Sequence, residues 1–82
     1  MSAPFVSVDL HGMTVEEADR AIAKALASAS SSTYQIRLIH GFNRGTAIRT
    51  MIREYYGYDP KVKRILPGEN PGVTVLVLKE LY

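Results

Sequence analysis

In the stretch Val8-Asp9-Leu10-His11-Gly12-Met13-Thr14-Val15-Glu16-Glu17-Ala18 a strand hands over to a helix, and that junction decides the fold. On its upstream side Val6, Val8 and Leu10 alternate with Ser7 and Asp9, so residues 5–10 are predicted as a strand with one apolar face. His11-Gly12 closes the strand. Thr14 followed three residues later by Glu17 has capping-box spacing, in which each residue satisfies a free backbone N–H of the other at a helix start. Val15, Ala18, Ile22, Ala25 and Leu26 then recur at helical spacing, opposite Glu16, Asp19, Arg20 and Lys24, which predicts an amphipathic helix to about residue 29.

The same strand, His-Gly, helix pattern occurs again downstream. After a polar connector at 28–33, residues 34–39 read as a second strand ending in His40-Gly41. The loop Phe42-Asn43-Arg44-Gly45 leads to Thr46 and a second helix. Its buried stripe is expected at Ile48, Met51, Ile52 and Tyr55, with Arg49, Arg53 and Tyr56 on another face and Gly57 as C-cap. Asp59-Pro60 makes a turn, 62–66 a short third strand, and 73–78 a fourth, across a loop rich in Pro and Gly. This order predicts an α/β fold of two layers: a mixed four-stranded sheet (β-α-β-α-β-β) with both helices on one face and the other face open. One domain is expected over 1–82, with its core at about 6–78.

Bulk properties narrow the function. With 82 residues the chain has room for one domain, and 46% hydrophobic against 22% charged residues is the balance of a folding chain. The absence of cysteine removes disulfides, thiolate zinc sites and cysteine nucleophiles. Residues 1–6 lack the features of a secretory leader and no stretch is long enough to span a membrane, so a cytoplasmic protein without membrane contact is expected. The formal charge is only +2. Its distribution says more: Arg37, Arg44, Arg49, Arg53, Lys61, Lys63 and Arg64 face only Glu54 and Asp59 in the middle of the chain, an asymmetry that can attract a polyanion.

If the first two strands are parallel, both His-Gly pairs fall on the carboxyl edge of the sheet, where open α/β sheets bind ligands. Both helix N-termini would meet the same edge and favour phosphate. His11 and His40 are therefore candidate proton-transfer or phosphate-binding groups, with Asp9 placed to orient a histidine or position a cation. Gly12, Gly41 and Gly45 allow close backbone approach or simply tight turns. The segment 41–46 lacks the Lys-Ser/Thr ending of a P-loop, and no nucleophile elbow is present. Two histidines and an aspartate leave a divalent metal open, without a defined metal site.

The quoted stretch is similar to the L-D-L-H-G-x-T-x-x-E-A opening of small MutS-related (Smr) domains. Ile39-His40-Gly41 with Gly45-Thr46 resembles the family's second signature, and Gly72-Val73-Thr74-Val75 its closing strand. One departure stands out: where the family often has H-G-x-G, this chain has Asn43. The resemblance implies a fold like the C-terminal domain of bacterial translation initiation factor three, and DNA nicking or RNA cleavage. Under that reading Asp9, His11 and His40 are the catalytic candidates. Gly12, Gly41, Phe42, Arg44, Gly45, Thr46, Arg49, Arg53 and Lys63 would bind DNA or RNA, with Phe42 offering a base-stacking face. The alternative is a nucleic-acid or ribosome-binding module without catalysis, and a lesser one is a protein-interaction domain using the open sheet face. The residues do not choose between DNA and RNA, nor give the oligomeric state.

Overall fold

The computed structural model describes residues 4–42 and 45–80; Asn43 and Arg44 lie outside the described residues. Its elements are β1 (Phe5–Asp9), α1 (Val15–Ser28), β2 (Gln35–Ile39), α2 (Gly45–Met51) continued by a π-helical turn (Ile52–Tyr56), β3 (Arg64–Pro67) and β4 (Val73–Val77). The sheet order is β1-β2-β4-β3, with β1 parallel to β2 and both other pairings antiparallel. The mixed sheet and the parallel first pair match expectation, and β3 and β4 pair as a hairpin.

Alternation along the strands sorts residues into two layers. Ile36, Leu38 and Leu76 are fully buried and stand in register with Val6, Val8, Thr74 and Ile65. They pack with Ala18, Ile22 and Leu26 of α1, Ile48 and Met51 of α2, and Ile52 and Tyr56 of the π-helical turn. The opposite sheet face stays open: Phe5 and Leu66 are exposed, and Arg37 pairs with Glu69 there.

The capping box forms as expected, with the Glu17 N–H donating to Thr14 Oγ1 (3.1 Å) and the Thr14 N–H to Glu17 Oε1 (2.9 Å). The Thr14 backbone N–H first, and the Thr14 side chain after it, hold the Glu17 carboxyl below its ordinary value.

Two expectations are corrected, and a third, the Gly57 cap, is met with a different backbone geometry. Tyr56 rather than Tyr55 is buried, its hydroxyl donating to Asp19 Oδ1 (2.5 Å), while Tyr55 is exposed. A helix widened to i→i+5 bonding turns less per residue than an α-helix, which keeps positions 48, 52 and 56 in line and rotates 55 outward. Gly57 caps the helix in a right-handed conformation, not the left-handed one that usually selects glycine. Glycine is required there because a Cβ would sit 2.7 Å from the Arg53 carbonyl oxygen. Finally β3 starts at Arg64 rather than 62, because the Val62 N–H is held in a turn by the Asp59 carbonyl (2.9 Å). Pro67 ends it on a sheet edge, where its missing N–H costs no ladder bond.

Candidate functional site

The two His-Gly pairs meet. The Leu10 N–H donates to the Ile39 carbonyl (2.7 Å), tying the end of β1 to the end of β2. Beyond these ends Gly12 and Gly41 adopt φ +78° and +84°, the left-handed region that glycine enters without steric cost. A Cβ built on Gly41 would lie 3.9 Å from His11 Cβ, so the two turns are neighbours. The closing loop joins them: the Gly72 carbonyl accepts the N–H groups of both His40 (2.9 Å) and Gly41 (3.0 Å).

The histidines have different surroundings. His11 is exposed, with Nδ1 2.8 Å from Asp9 Oδ1, which also accepts the His11 backbone N–H (3.1 Å). The turn-forming and histidine-orienting roles considered for Asp9 are thus filled by one oxygen. Because a carboxylate only accepts, Nδ1 carries the proton and Nε2 keeps a lone pair when the ring is neutral. The His11 ring N–H first, then its backbone N–H, holds the Asp9 carboxyl below its ordinary value of 3.8.

A lowered carboxyl stabilises the folded turn above its unfolded value and loses that contribution as pH falls through the lowered one. An NMR carboxyl titration of Asp9 is therefore expected to have its midpoint below 3.8, rising toward 3.8 in His11→Ala. An unchanged midpoint in that variant would show that the ring is not the partner.

His40 shares the helix-covered face with Leu38, two residues before it, and is 3% exposed. Its Nδ1 lies 3.0 Å from the Gly41 carbonyl oxygen and its Nε2 2.8 Å from Thr74 Oγ1. The carbonyl fixes the proton on Nδ1, so Nε2 accepts from the threonine hydroxyl and both ring nitrogens are engaged. Thr74 had no role in the sequence reading. Its signal was a hydroxyl among apolar residues in β4, which needed a buried partner.

Next to His40 is a pocket of about 220 Å³ lined by His40, Gly41, Phe42, Thr46, Arg49 and Pro71. Phe42 is exposed at its rim, and the first turn of α2 carries no acid. The α1 N-terminus differs from expectation: Glu16 and Glu17 occupy its first turn and Glu17 caps it, so its dipole already faces a carboxylate. Gly45 opens α2. Arg53 is exposed in the π-helical turn, outside the pocket lining. Lys63 lies at the opposite end of the sheet, its N–H donating to the carbonyl of Val77 (2.8 Å). Pro71 was the lining residue that sequence reasoning missed.

Among the described residues no group of three or more His, Asp or Glu side chains comes together, and the nitrogens of His40 are already bonded. Also among the described residues, no helix is long and apolar enough to cross a membrane.

Comparisons with known proteins agree with this geometry. The crystal structure of the Smr domain of Thermus thermophilus MutS2 is similar, with a TM-score of 0.81 at 35% sequence identity over 92% of this chain and 99% of that one. No curated protein sequence matches. Residues 8–79, from Val8 before the first His-Gly pair to Lys79 after β4, match the Smr domain, and the chain belongs to that family.

Proposed function

We propose that this Smr domain binds DNA or RNA by its phosphates at the His-Gly edge and cleaves the chain there. The observation that carries the reading is the meeting of the two His-Gly turns, which sets an exposed Asp9–His11 pair beside the pocket holding Arg49 and Thr46. Arg49 supplies fixed positive charge for a phosphate, and the Gly41 and Gly12 turns let a backbone approach. Phe42 offers a stacking face for a base.

His11 is the proton-transfer group, because among the described residues nothing engages its Nε2 while Asp9 fixes its tautomer and orientation. In the cleavage step Nε2 takes the proton of the attacking hydroxyl, from water or a ribose. The new P–O bond forms as the bond to the departing ribose oxygen breaks, and that oxygen takes a proton from solvent. Arg49 offsets the charge gathering on the phosphate oxygens. His40, expected from sequence to share in the chemistry, acts here as a positioning residue that locks Gly41 and β4 together. No step is assigned to a metal, since among the described residues no group of three His, Asp or Glu side chains comes together.

The test is an incubation of the protein with labelled single-stranded, structured and duplex DNA and RNA, with Mg²⁺, Mn²⁺ or chelator. Binding and cleavage are expected. Arg49→Gln is expected to weaken binding and flatten the dependence of log affinity on log salt by about 0.7–0.9, the loss of one phosphate contact. Binding without cleavage under every condition would leave a recognition module in place of a nuclease, and no binding at all would remove both.

A further inference from the structure

Lys63, expected among the phosphate contacts, stands at the far end of the sheet from the His-Gly edge, in a cleft of about 350 Å³ shared with Lys61, Lys79, Ser30 and Ser31. Two of the three ammonium groups are held in place by the far end of α1 and its connector. Lys61 Nζ donates to the Leu26 carbonyl (3.4 Å) and Lys79 Nζ to that of Ser31 (2.9 Å), with Lys79 Nζ also 5.5 Å from the centre of the Tyr34 ring. Each ammonium has three donors, so a lysine fixed by one carbonyl keeps others for a ligand.

Nearby acids are engaged elsewhere: Glu80 pairs with Arg64 (2.8 Å), and Asp59 Oδ1 accepts the backbone N–H of Lys61 (2.9 Å). Among the described residues none of the three lysines forms an ion pair. Capping α1 explains Lys61, but not why Lys63, whose side chain bonds nothing among the described residues, should bring a third positive charge to the same cleft. Three ammonium groups around one cleft repel one another, and an anion between them removes that cost.

We propose that this cleft is a second phosphate-binding site, which holds the strand already engaged at the His-Gly edge. The proposal rests on the nucleic-acid reading of that edge. β4 joins the two sites, with Gly72 bonded to His40 before its first residue and Val77 bonded to Lys63 at its last. Its length is about 17 Å at 3.3 Å per residue. That is the rise of about five nucleotides in one strand at 3.4 Å each. One strand can therefore reach both sites, and a fragment of two or three nucleotides cannot.

The experiment measures affinity of the full chain for labelled 3-mers and 16-mers across a salt series, for wild type, Lys63→Gln and Lys61→Gln/Lys63→Gln/Lys79→Gln. Melting curves confirm folding, and Lys63→Gln removes no cap from α1. For the 16-mer, Lys63→Gln is expected to lower affinity several-fold and flatten the log-log salt slope by about 0.7. The triple variant should flatten it further, and neither should change 3-mer binding. An unchanged 16-mer slope in both variants overturns the cleft and leaves the His-Gly edge standing. Equal loss on 3-mer and 16-mer also overturns it, as does lysine-dependent capture by phosphatidylglycerol vesicles with no effect on strands. A wild-type protein that binds no strand removes the reading of the edge, and the cleft with it.

Discussion

Replacing His11 with asparagine is expected to slow cleavage by about two to four orders of magnitude, the usual range for a positioned general base. The side chain is exposed, and among the described residues it bonds to Asp9 alone, so the fold should barely notice. A surface change of this kind shifts stability by about 0.5 kcal/mol or less. Binding should also survive, because the phosphate contacts are assigned to Arg49 and the glycine turns. Asp9→Asn should slow cleavage as well: an amide in place of the carboxylate no longer favours the proton on Nδ1, so the lone pair at Nε2 is no longer secured. Normal turnover in His11→Asn would remove the proposed chemistry while leaving the binding site.

The largest effect on stability is expected at Thr74. Its hydroxyl is the partner of His40 Nε2 in a site where Thr74 is 1% exposed and His40 3% exposed. Thr74→Val keeps the shape and removes the donor, leaving a buried ring nitrogen unsatisfied at a cost of about 1–3 kcal/mol. In a domain of this size each kcal/mol moves Tm by about 4–8 °C. Thr74→Ser should keep the hydrogen bond and lose less. His40→Ala should follow Thr74→Val in losing stability, and well below its melting point it should keep more activity than His11→Asn. If His40→Ala abolished cleavage with Tm unchanged, His40 would touch the substrate itself and the division between the histidines would be wrong.

Local spacing made the first half of the architecture readable. Strand alternation, the His-Gly ends and the Thr14–Glu17 pair all act within a few residues, and each formed where expected. What escaped depends on longer range. Tyr55 and Tyr56 exchanged faces because the helix widens into a π turn, which changes its period without a distinctive residue to announce it. The Thr74–His40 bond joins positions 34 residues apart and depends on β4 lying beside β2. The place of Lys63 was not legible for a related reason: the side of the sheet on which β3 begins follows from the β1-β2-β4-β3 order, which composition and periodicity do not specify. The two histidines looked equivalent as motifs, and only burial separated them.

The central claim is that nucleic acid meets this domain at the paired His-Gly turns. Its most direct test is a titration of ¹⁵N-labelled protein with a short single strand, followed by amide NMR shifts. The largest changes are expected at Gly12, Gly41, Thr46 and Arg49, whether or not the lysine cleft also responds. Changes confined to the open sheet face around Phe5, Arg37 and Leu66, with these four amides unmoved by a strand that binds, would contradict it.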